Sequence, residues 1–281
     1  MTISQTMKKG RIDLKTNGIS EPNLKARLIM QYVLKKPREY IMVYDNQKLT
    51  LRQEVDYFKA IKKLIRGIPI QHITHQQEFM KMNFYVNENV LIPRPDTEVL
   101  VEEVINIAKR INAKKILDMC TGSGAIAISL AKYIKNSEIT AVDISSKALD
   151  VAKINAKNNE VSNQIKFIES DLFKQMPKEK YDIIVSNPPY IKREIIKKLD
   201  NEVQKEPKLA LDGGHDGLDF YRKIIYYSED YLKFNGYLCL EIGYDQKDDV
   251  IDIIEREEKY KNTYCKKDIC DNDRVIVTKL N

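Results

Sequence analysis

Ser186-Asn187-Pro188-Pro189-Tyr190 follows Tyr-Asp-Ile-Ile-Val, a run that reads as a buried strand. Consecutive prolines lock φ and delete two backbone donors, so an amide side chain is held rigidly between a strand end and an aromatic ring. That pairing suits chemistry at a planar, amide-like nitrogen, whose lone pair is delocalised into its carbonyl and attacks poorly. Methylating such a nitrogen requires aiming its lone pair at an electrophilic methyl group. It also requires acceptors for the NH2 protons as positive charge develops. The side-chain carbonyl of Asn187 and the backbone carbonyl of Pro188 are two such acceptors, held with little reorganisation. The ring of Tyr190 can lie against the planar target. No strong general base is needed, because the amide proton becomes acidic only after attack. Asn187, Pro188 and Tyr190 are thus the candidate catalytic residues, and Asn187 to Tyr190, with Pro189, the candidate substrate site.

An electrophile must be held nearby, and three earlier strand ends are suited to it. Asp-Met-Cys-Thr-Gly-Ser-Gly (118–124) lies between a strand and a helix. There Gly122 and Gly124 allow a tight turn and a close approach of backbone N–H groups at a helix start. Cys120, Thr121, Gly122, Ser123 and Gly124 are the candidate cofactor loop. Asp143 ends the next strand, where a carboxylate can grip both hydroxyls of a ribose. Asp171 and Leu172 end the third, placed for an adenine edge and face; Asn187 completes the set. S-adenosyl-L-methionine, with its sulfonium methyl, fits this arrangement. A rival is a nicotinamide oxidoreductase, because Gly-Ser-Gly-Ala-Ile-Ala (122–127) also satisfies a loose dinucleotide fingerprint. The fourth strand end carries no Tyr-x-x-x-Lys or His for hydride chemistry. Further alternatives are a glycine turn of purely structural use and a non-catalytic cofactor-binding scaffold.

These strand ends need a sheet to line them up. After Pro95 a helix (96–111) precedes strands at Lys-Ile-Leu-Asp-Met, Glu-Ile-Thr-Ala-Val-Asp-Ile, Ile-Lys-Phe-Ile-Glu-Ser and Tyr-Asp-Ile-Ile-Val-Ser-Asn, with helices between the first three. A long helix around 217–233, the strand Gly-Tyr-Leu-Cys-Leu-Glu-Ile-Gly, a helix at 246–257 and strands near 262–270 and 274–280 complete the pattern. Short Ile/Val-rich strands alternating with helices predict an α/β, doubly wound sheet. The last two strands have only a turn at Asp271–Asn272 between them and should pair antiparallel. The result is a Rossmann-like sheet of seven strands, mixed in direction. Ahead of it, residues 24–35 and a Thr50-Leu-Arg-Gln capping-box start predict helices. The expected boundaries are a helical domain over 1–72, a β connector over 73–95 and the α/β domain over 96–281.

The chain has 281 residues and a net charge of +6. Residues 1–90 carry 16 Lys and Arg against 8 Asp and Glu, so the positive excess lies at the front. Such a front could face nucleic acid or an acidic protein; the alternative is solvated lysine on helix surfaces. No apolar stretch is long enough to span a bilayer, and the first residues lack the apolar core of a signal peptide, so a cytoplasmic location is expected. The cysteines show no C-x-x-C spacing and the histidines are only 3, which excludes an evident metal site. His72, His75 and His215 read as structural or surface residues.

Asn-Pro-Pro-Tyr after the fourth strand, with Asp-x-Cys-Thr-Gly-Ser-Gly after the first, resembles the class I methyltransferases that act on planar, amide-like nitrogens. Val-Leu-Ile-Pro-Arg-Pro-Asp-Thr-Glu-Val-Leu-Val-Glu (90–102), the stretch 206–224, Glu-Ile-Gly-Tyr-Asp-Gln (241–246) and Arg-Val-Ile-Val-Thr-Lys-Leu (274–280) narrow this. Together they resemble the release-factor glutamine methyltransferases, the PrmC or HemK family, from about residue 20 onward. The resemblance implies methyl transfer to the N5 amide nitrogen of the glutamine in the Gly-Gly-Gln loop of peptide-chain release factors. It also implies cofactor roles for Cys120 to Gly124, Asp143, Leu172 and Asn187. Cys120, Leu172 and His75 stand where the family often has Gly, a larger residue and Gly. Arg94 and Glu98 could hold the connector on the substrate side or pair at a helix start. The expected partner is the release factor itself, with no membrane and no nucleic-acid substrate, and the expected state a monomer. The nearest rival within the methyltransferases is an adenine-N6 enzyme acting on DNA or RNA.

Overall fold

A computed structural model describes all 281 residues. The chain divides into two compact units, Met1–His75 with Asp200–Lys205, and Gln76–Leu199 with Glu206–Asn281. No helix is long and apolar enough to cross a membrane.

The first unit holds α1 (Ile3–Thr16), α2 (Pro22–Leu34), α3 (Arg38–Val43), α4 (Leu51–Ile65) and α5 (Ile70–Thr74). The expected capping box opens α4: Thr50 accepts from the Gln53 N–H and Gln53 reaches back to Thr50. Thr2 and Gln5 form the same device at α1, a helix that the sequence reading did not anticipate. Gly10 explains why α1 tolerates a poor helix former, since a Cβ there would overlap the ring of Tyr57. Tyr57 is fully buried and joins Ile3, Leu14, Ile29, Met30 and Leu64 in the core of this unit. Lys25 Nζ reaches Glu202 Oε1 at 2.6 Å, which ties the 200–205 segment to α2.

The second unit begins with β1 (Gln77–Phe79) and β2 (Met82–Phe84), an antiparallel pair. It continues with α6 (Thr97–Ile111), β3 (Lys115–Met119), α7 (Ala125–Tyr133), β4 (Glu138–Asp143), α8 (Ser146–Asn158), β5 (Ile165–Glu169) and β6 (Tyr181–Ser186). The short α9 (Arg193–Ile196), α10 (Asp219–Ser228), β7 (Leu232–Glu241), α11 (Lys247–Arg256), β8 (Tyr260–Lys267) and β9 (Asp273–Leu280) follow. The main sheet has order β5-β4-β3-β6-β7-β9-β8. β5 to β7 run parallel, and β9 is antiparallel to both neighbours, the expected seven-stranded mixed sheet. Successive strand residues face opposite sides. Ile116, Ile183 and Val277 pack in one apolar core with α6 and α7, whereas Leu117, Ile184 and Ile276 pack in another with α10 and α11.

Two expectations need correction. The helix expected around 217–233 ends at Ser228, because Leu232 is already paired with Tyr181 in the sheet. The strand-rich stretch after residue 73 contains only two three-residue strands. Its Phe79, Met82 and Phe84 are buried in the core with α6 and α7, so this hairpin is part of the α/β unit's interior. Pro93 and Pro95 lack N–H groups and cannot extend a ladder.

Candidate active site

The chain winds from β3 outward to β4 and β5, then returns to place β6 on the other side of β3. The strand order therefore reverses between β3 and β6, and a crevice opens beyond their C-terminal ends, the place where such sheets bind ligands. Ser186 Oγ donates to the carbonyl of Met119 at 2.7 Å and locks the two strand ends together.

On the β3 side the glycine loop turns through positive φ at Cys120 (+64°), Gly122 (+54°) and Gly124 (+81°). Cys120 therefore occupies a left-handed position that a glycine adopts more cheaply. His75, at φ +57°, does likewise at the end of α5. A Cβ on Gly124 would lie 2.9 Å from Ile128 Cδ1 and 3.0 Å from Ala152 Cβ, so only glycine lets α7 start so close to α8. Asp118 holds the loop from inside: its Oδ2 accepts from Thr121 Oγ1 at 2.5 Å and from the Ala127 N–H at 3.1 Å. Its Oδ1 has no hydrogen-bond partner. Burial pushes its carboxyl up to about 7, against the pull of those two donors. Asn155, fully buried, donates to the Ser123 carbonyl at 2.9 Å and accepts from the Tyr85 N–H at 2.6 Å, joining loop, α8 and the segment after β2.

Asp143, at the end of β4, accepts from the Gly122 N–H at 2.8 Å and from the Ser145 N–H at 2.9 Å. Burial raises its carboxyl pKa, while those N–H groups hold it back. After β5, Leu172 takes φ +51° and is buried. Asp171 beside it receives Lys174 Nζ at 2.6 Å. Cys120, Gly122, Asp143, Asp171, Leu172, Asn187 and Pro189 line one cavity of about 160 Å³. Thr121, Ser123 and Gly124 shape the loop behind it. Leu91, Leu209 and Phe220 add apolar wall and Lys223 a cation, none of which the sequence reading singled out. Carboxylates, backbone N–H groups at the start of α7 and apolar walls together suit a nucleoside carrying a ribose diol.

On the β6 side, Asn187 Nδ2 donates to Thr97 Oγ1 at 3.2 Å. The Tyr190 carbonyl accepts from Gln246 Nε2 at 3.0 Å, and Tyr190 Oη lies 3.5 Å from Glu241 Oε1. Burial, then the charge of Glu241, raises the Tyr190 phenol. Pro188 and Pro189 are buried. Glu241 and Thr97 lie within sequence motifs that by themselves assign them no role; their partners are 51 and 90 residues away and only folding reveals them. Arg94 pairs with Glu206, whose Oε2 also accepts from the Ile92 N–H at 2.9 Å. Glu98 accepts from the Met80 N–H at 2.6 Å. Each thus pins the segment before α6. His215 is exposed and His72 buried within the helical unit.

Residues 95–214 match the methyltransferase small domain, and residues 5–74 match the PrmC N-terminal domain. The release factor glutamine methyltransferase of Clostridium acetobutylicum is 42% identical over 258 residues, 90% of this chain and 89% of that one. That of Clostridium botulinum is 39% identical over 279 residues, 98% of each chain. The fold alone is shared with a methyltransferase from Pyrococcus furiosus, at TM-score 0.53 and 19% identity over 83% of this chain and 98% of that one. It is also shared with the hMettl16 catalytic domain, at TM-score 0.57 and 15% identity over 89% and 92%. The cofactor is S-adenosyl-L-methionine. Relatives matched along nearly their whole length, through both units, place this chain in the release factor glutamine methyltransferase family.

Proposed function

We propose that this protein methylates the N5 amide nitrogen of the glutamine in the Gly-Gly-Gln loop of peptide-chain release factors. The observation that carries this reading is that Asn187, opening the Asn-Pro-Pro-Tyr segment, lines the same cavity as Asp143, Asp171 and Leu172. Cys120 to Gly124, Asp143, Asp171 and Leu172 would hold the cofactor, with the ribose hydroxyls on Asp143 and the adenine against Leu172. Bound there, S-adenosyl-L-methionine supplies an electrophilic methyl group on its sulfonium sulfur.

The Asn187 side-chain oxygen and the Pro188 carbonyl accept the two protons of the glutamine NH2 and turn its lone pair toward the methyl group. Tyr190 and Pro189 flank the amide plane. Both acceptors would bind the transition state more tightly than the ground state, because the amide protons they hold grow more acidic as positive charge develops on the nitrogen. The surplus proton then leaves to solvent, and no strong base is required.

The helical unit is the proposed reader of the release factor, acting through its excess of Lys and Arg. The reading takes the protein as a cytoplasmic monomer with no nucleic-acid substrate. The chain after Tyr190 supplies α9, α10, α11 and the last three strands of the sheet. Incubation with methyl-labelled cofactor and either release factor or DNA tests it. Label in the release factor is the expected result; label in DNA alone would reverse the reading.

A further inference from the structure

An amide side chain is nearly symmetric in shape, and its two ends do opposite things. If Asn187 presented its NH2 to the glutamine NH2, donor would face donor and transfer would fail. Something must set the sense of this amide. Its nitrogen end is engaged by Thr97 Oγ1 at 3.2 Å, but a hydroxyl can donate or accept and does not by itself choose. Behind it lies Glu241, 1% exposed, at the end of β7. Its carboxylate faces the Thr97 hydroxyl and the Asn187 amide, while Tyr190 Oη lies 3.5 Å from Oε1. Oε2 is buried without a hydrogen-bond partner of good geometry, an acceptor with capacity to spare.

We propose that Thr97 and Glu241 are positioning residues for methyl transfer: the ionised carboxylate draws the Thr97 proton toward itself. That turns the hydroxyl lone pair to Asn187 Nδ2, which leaves Asn187 Oδ1 to accept from the substrate. This rests on the glutamine reading given above. It also gives a physical reason for the Pro-Asp-Thr-Glu and Glu-Ile-Gly segments to meet the Asn-Pro-Pro-Tyr segment: Thr97, Glu241 and Asn187 come from the start of α6 and the ends of β7 and β6.

A carboxylate accepts only while ionised; once protonated it can donate to Thr97 and reverse the chain of donors. The charged groups facing Glu241 are Arg274 and Asp96, with the phenols of Tyr190 and Tyr221 alongside. Arg274 is held by Asp268 at 3.0 Å and Asp96 at 3.5 Å. Burial dominates this balance and raises the Glu241 carboxyl to about 7, so the competent sense is lost as pH falls through that value.

The test compares wild type with Thr97→Ser, Thr97→Val and Glu241→Gln, measuring kcat, both KM values and the Asn187 side-chain NH2 signals by NMR from pH 6 to 8.5. Wild type and Thr97→Ser should gain rate with pH through a midpoint near 7 and then level off. Thr97→Val and Glu241→Gln should lose about tenfold or more in kcat, lack that rise, and bind the cofactor as wild type does. If Glu241→Gln does not fold, Thr97→Val decides. A Thr97→Val enzyme with wild-type kcat and pH profile overturns the proposal. If wild type methylates no release factor, the substrate reading fails instead, and the NMR signals judge the inference. Asn187 protons that titrate near 7 in wild type but not in Thr97→Val support it, and protons insensitive to pH in wild type refute it.

Discussion

Asp143 Oδ2 accepts the backbone N–H of Gly122 at 2.8 Å, so the carboxylate at the end of β4 also fixes the glycine loop after β3. One residue thereby shapes the proposed cofactor site and, on that proposal, would also bind the cofactor. Asp143→Ala should weaken cofactor binding by about 1.5–3 kcal/mol, the range for a hydrogen bond to a charged group, or about ten- to a hundredfold in Kd. Asp143→Asn should fall between the two, because its oxygen can still accept from Gly122. Titration calorimetry reads both values; unchanged affinity in the alanine variant would remove Asp143 from the site.

Asn187→Ala separates binding from chemistry. Losing one preorganised acceptor costs ~2.7–4 kcal/mol in the transition state, about a hundredfold or more in rate. Affinity for S-adenosyl-L-methionine should stay within a few fold. Single-turnover methylation beside calorimetry gives both numbers, and a variant that turns over normally would reduce Ser-Asn-Pro-Pro-Tyr to a structural turn.

Two buried acids give the stability a pH signature. Asp118 and Glu241 both have carboxyls raised to about 7 by burial. Between the ordinary carboxylate range and 7 the folded protein holds more protons than the unfolded chain, so stability falls as pH rises through that window. At about 1.4 kcal/mol per unit, the full rise is worth about 3 kcal/mol for Glu241 and about 4 kcal/mol for Asp118. Asp216, lowered to about 2 by Arg222, acts in the opposite sense but at lower pH. Urea unfolding of the cofactor-free protein should thus show lower stability at pH 8 than at pH 5.5, with a smaller difference in Glu241→Gln. A flat profile over that range would contradict the burial argument.

Recognition by the helical unit can be tested at its surface. Lys8, Arg11, Arg27 and Arg38 line a cavity of about 520 Å³ there, with Asp45 the one carboxylate. Arg27 Nε is buried in it without a hydrogen-bond partner. Reversing Arg11 and Arg38 to Glu should raise KM for intact release factor several fold, an effect that added salt imitates in wild type. Turnover of a short Gly-Gly-Gln peptide should not change. Equal KM values for the two proteins would leave the basic excess as solvated surface.

What could be read in the sequence was whatever is local and periodic. β3 to β6, the antiparallel β8–β9 pair and the Thr50 cap all follow from strand patterning, a turn at Asp271–Asn272 and a capping box. Strand ends carrying Asp143, Leu172 and Asn187 could be placed because a parallel sheet delivers such ends to one edge. What was illegible depends on distant partners. α1 was missed because Gly10 and a polar surface hide its pattern until Tyr57 fills the space over the glycine. Asp118 looked like part of a ligand loop, yet it points its bonds into the loop itself. Glu241 and Thr97 stood inside recognisable motifs, but nothing local says that Thr97 accepts from Asn187 or that Glu241 lies beside Tyr190.

The most direct test of the central claim is to locate the methyl group. Intact release factor is incubated with the enzyme and methyl-labelled cofactor, digested, and the Gly-Gly-Gln peptide is sequenced by mass spectrometry. The account predicts one added methyl on the glutamine side-chain nitrogen, formed by wild type and about a hundredfold or more slower by Asn187→Ala. A methyl on any other residue, or equal labelling by the two enzymes, would contradict it.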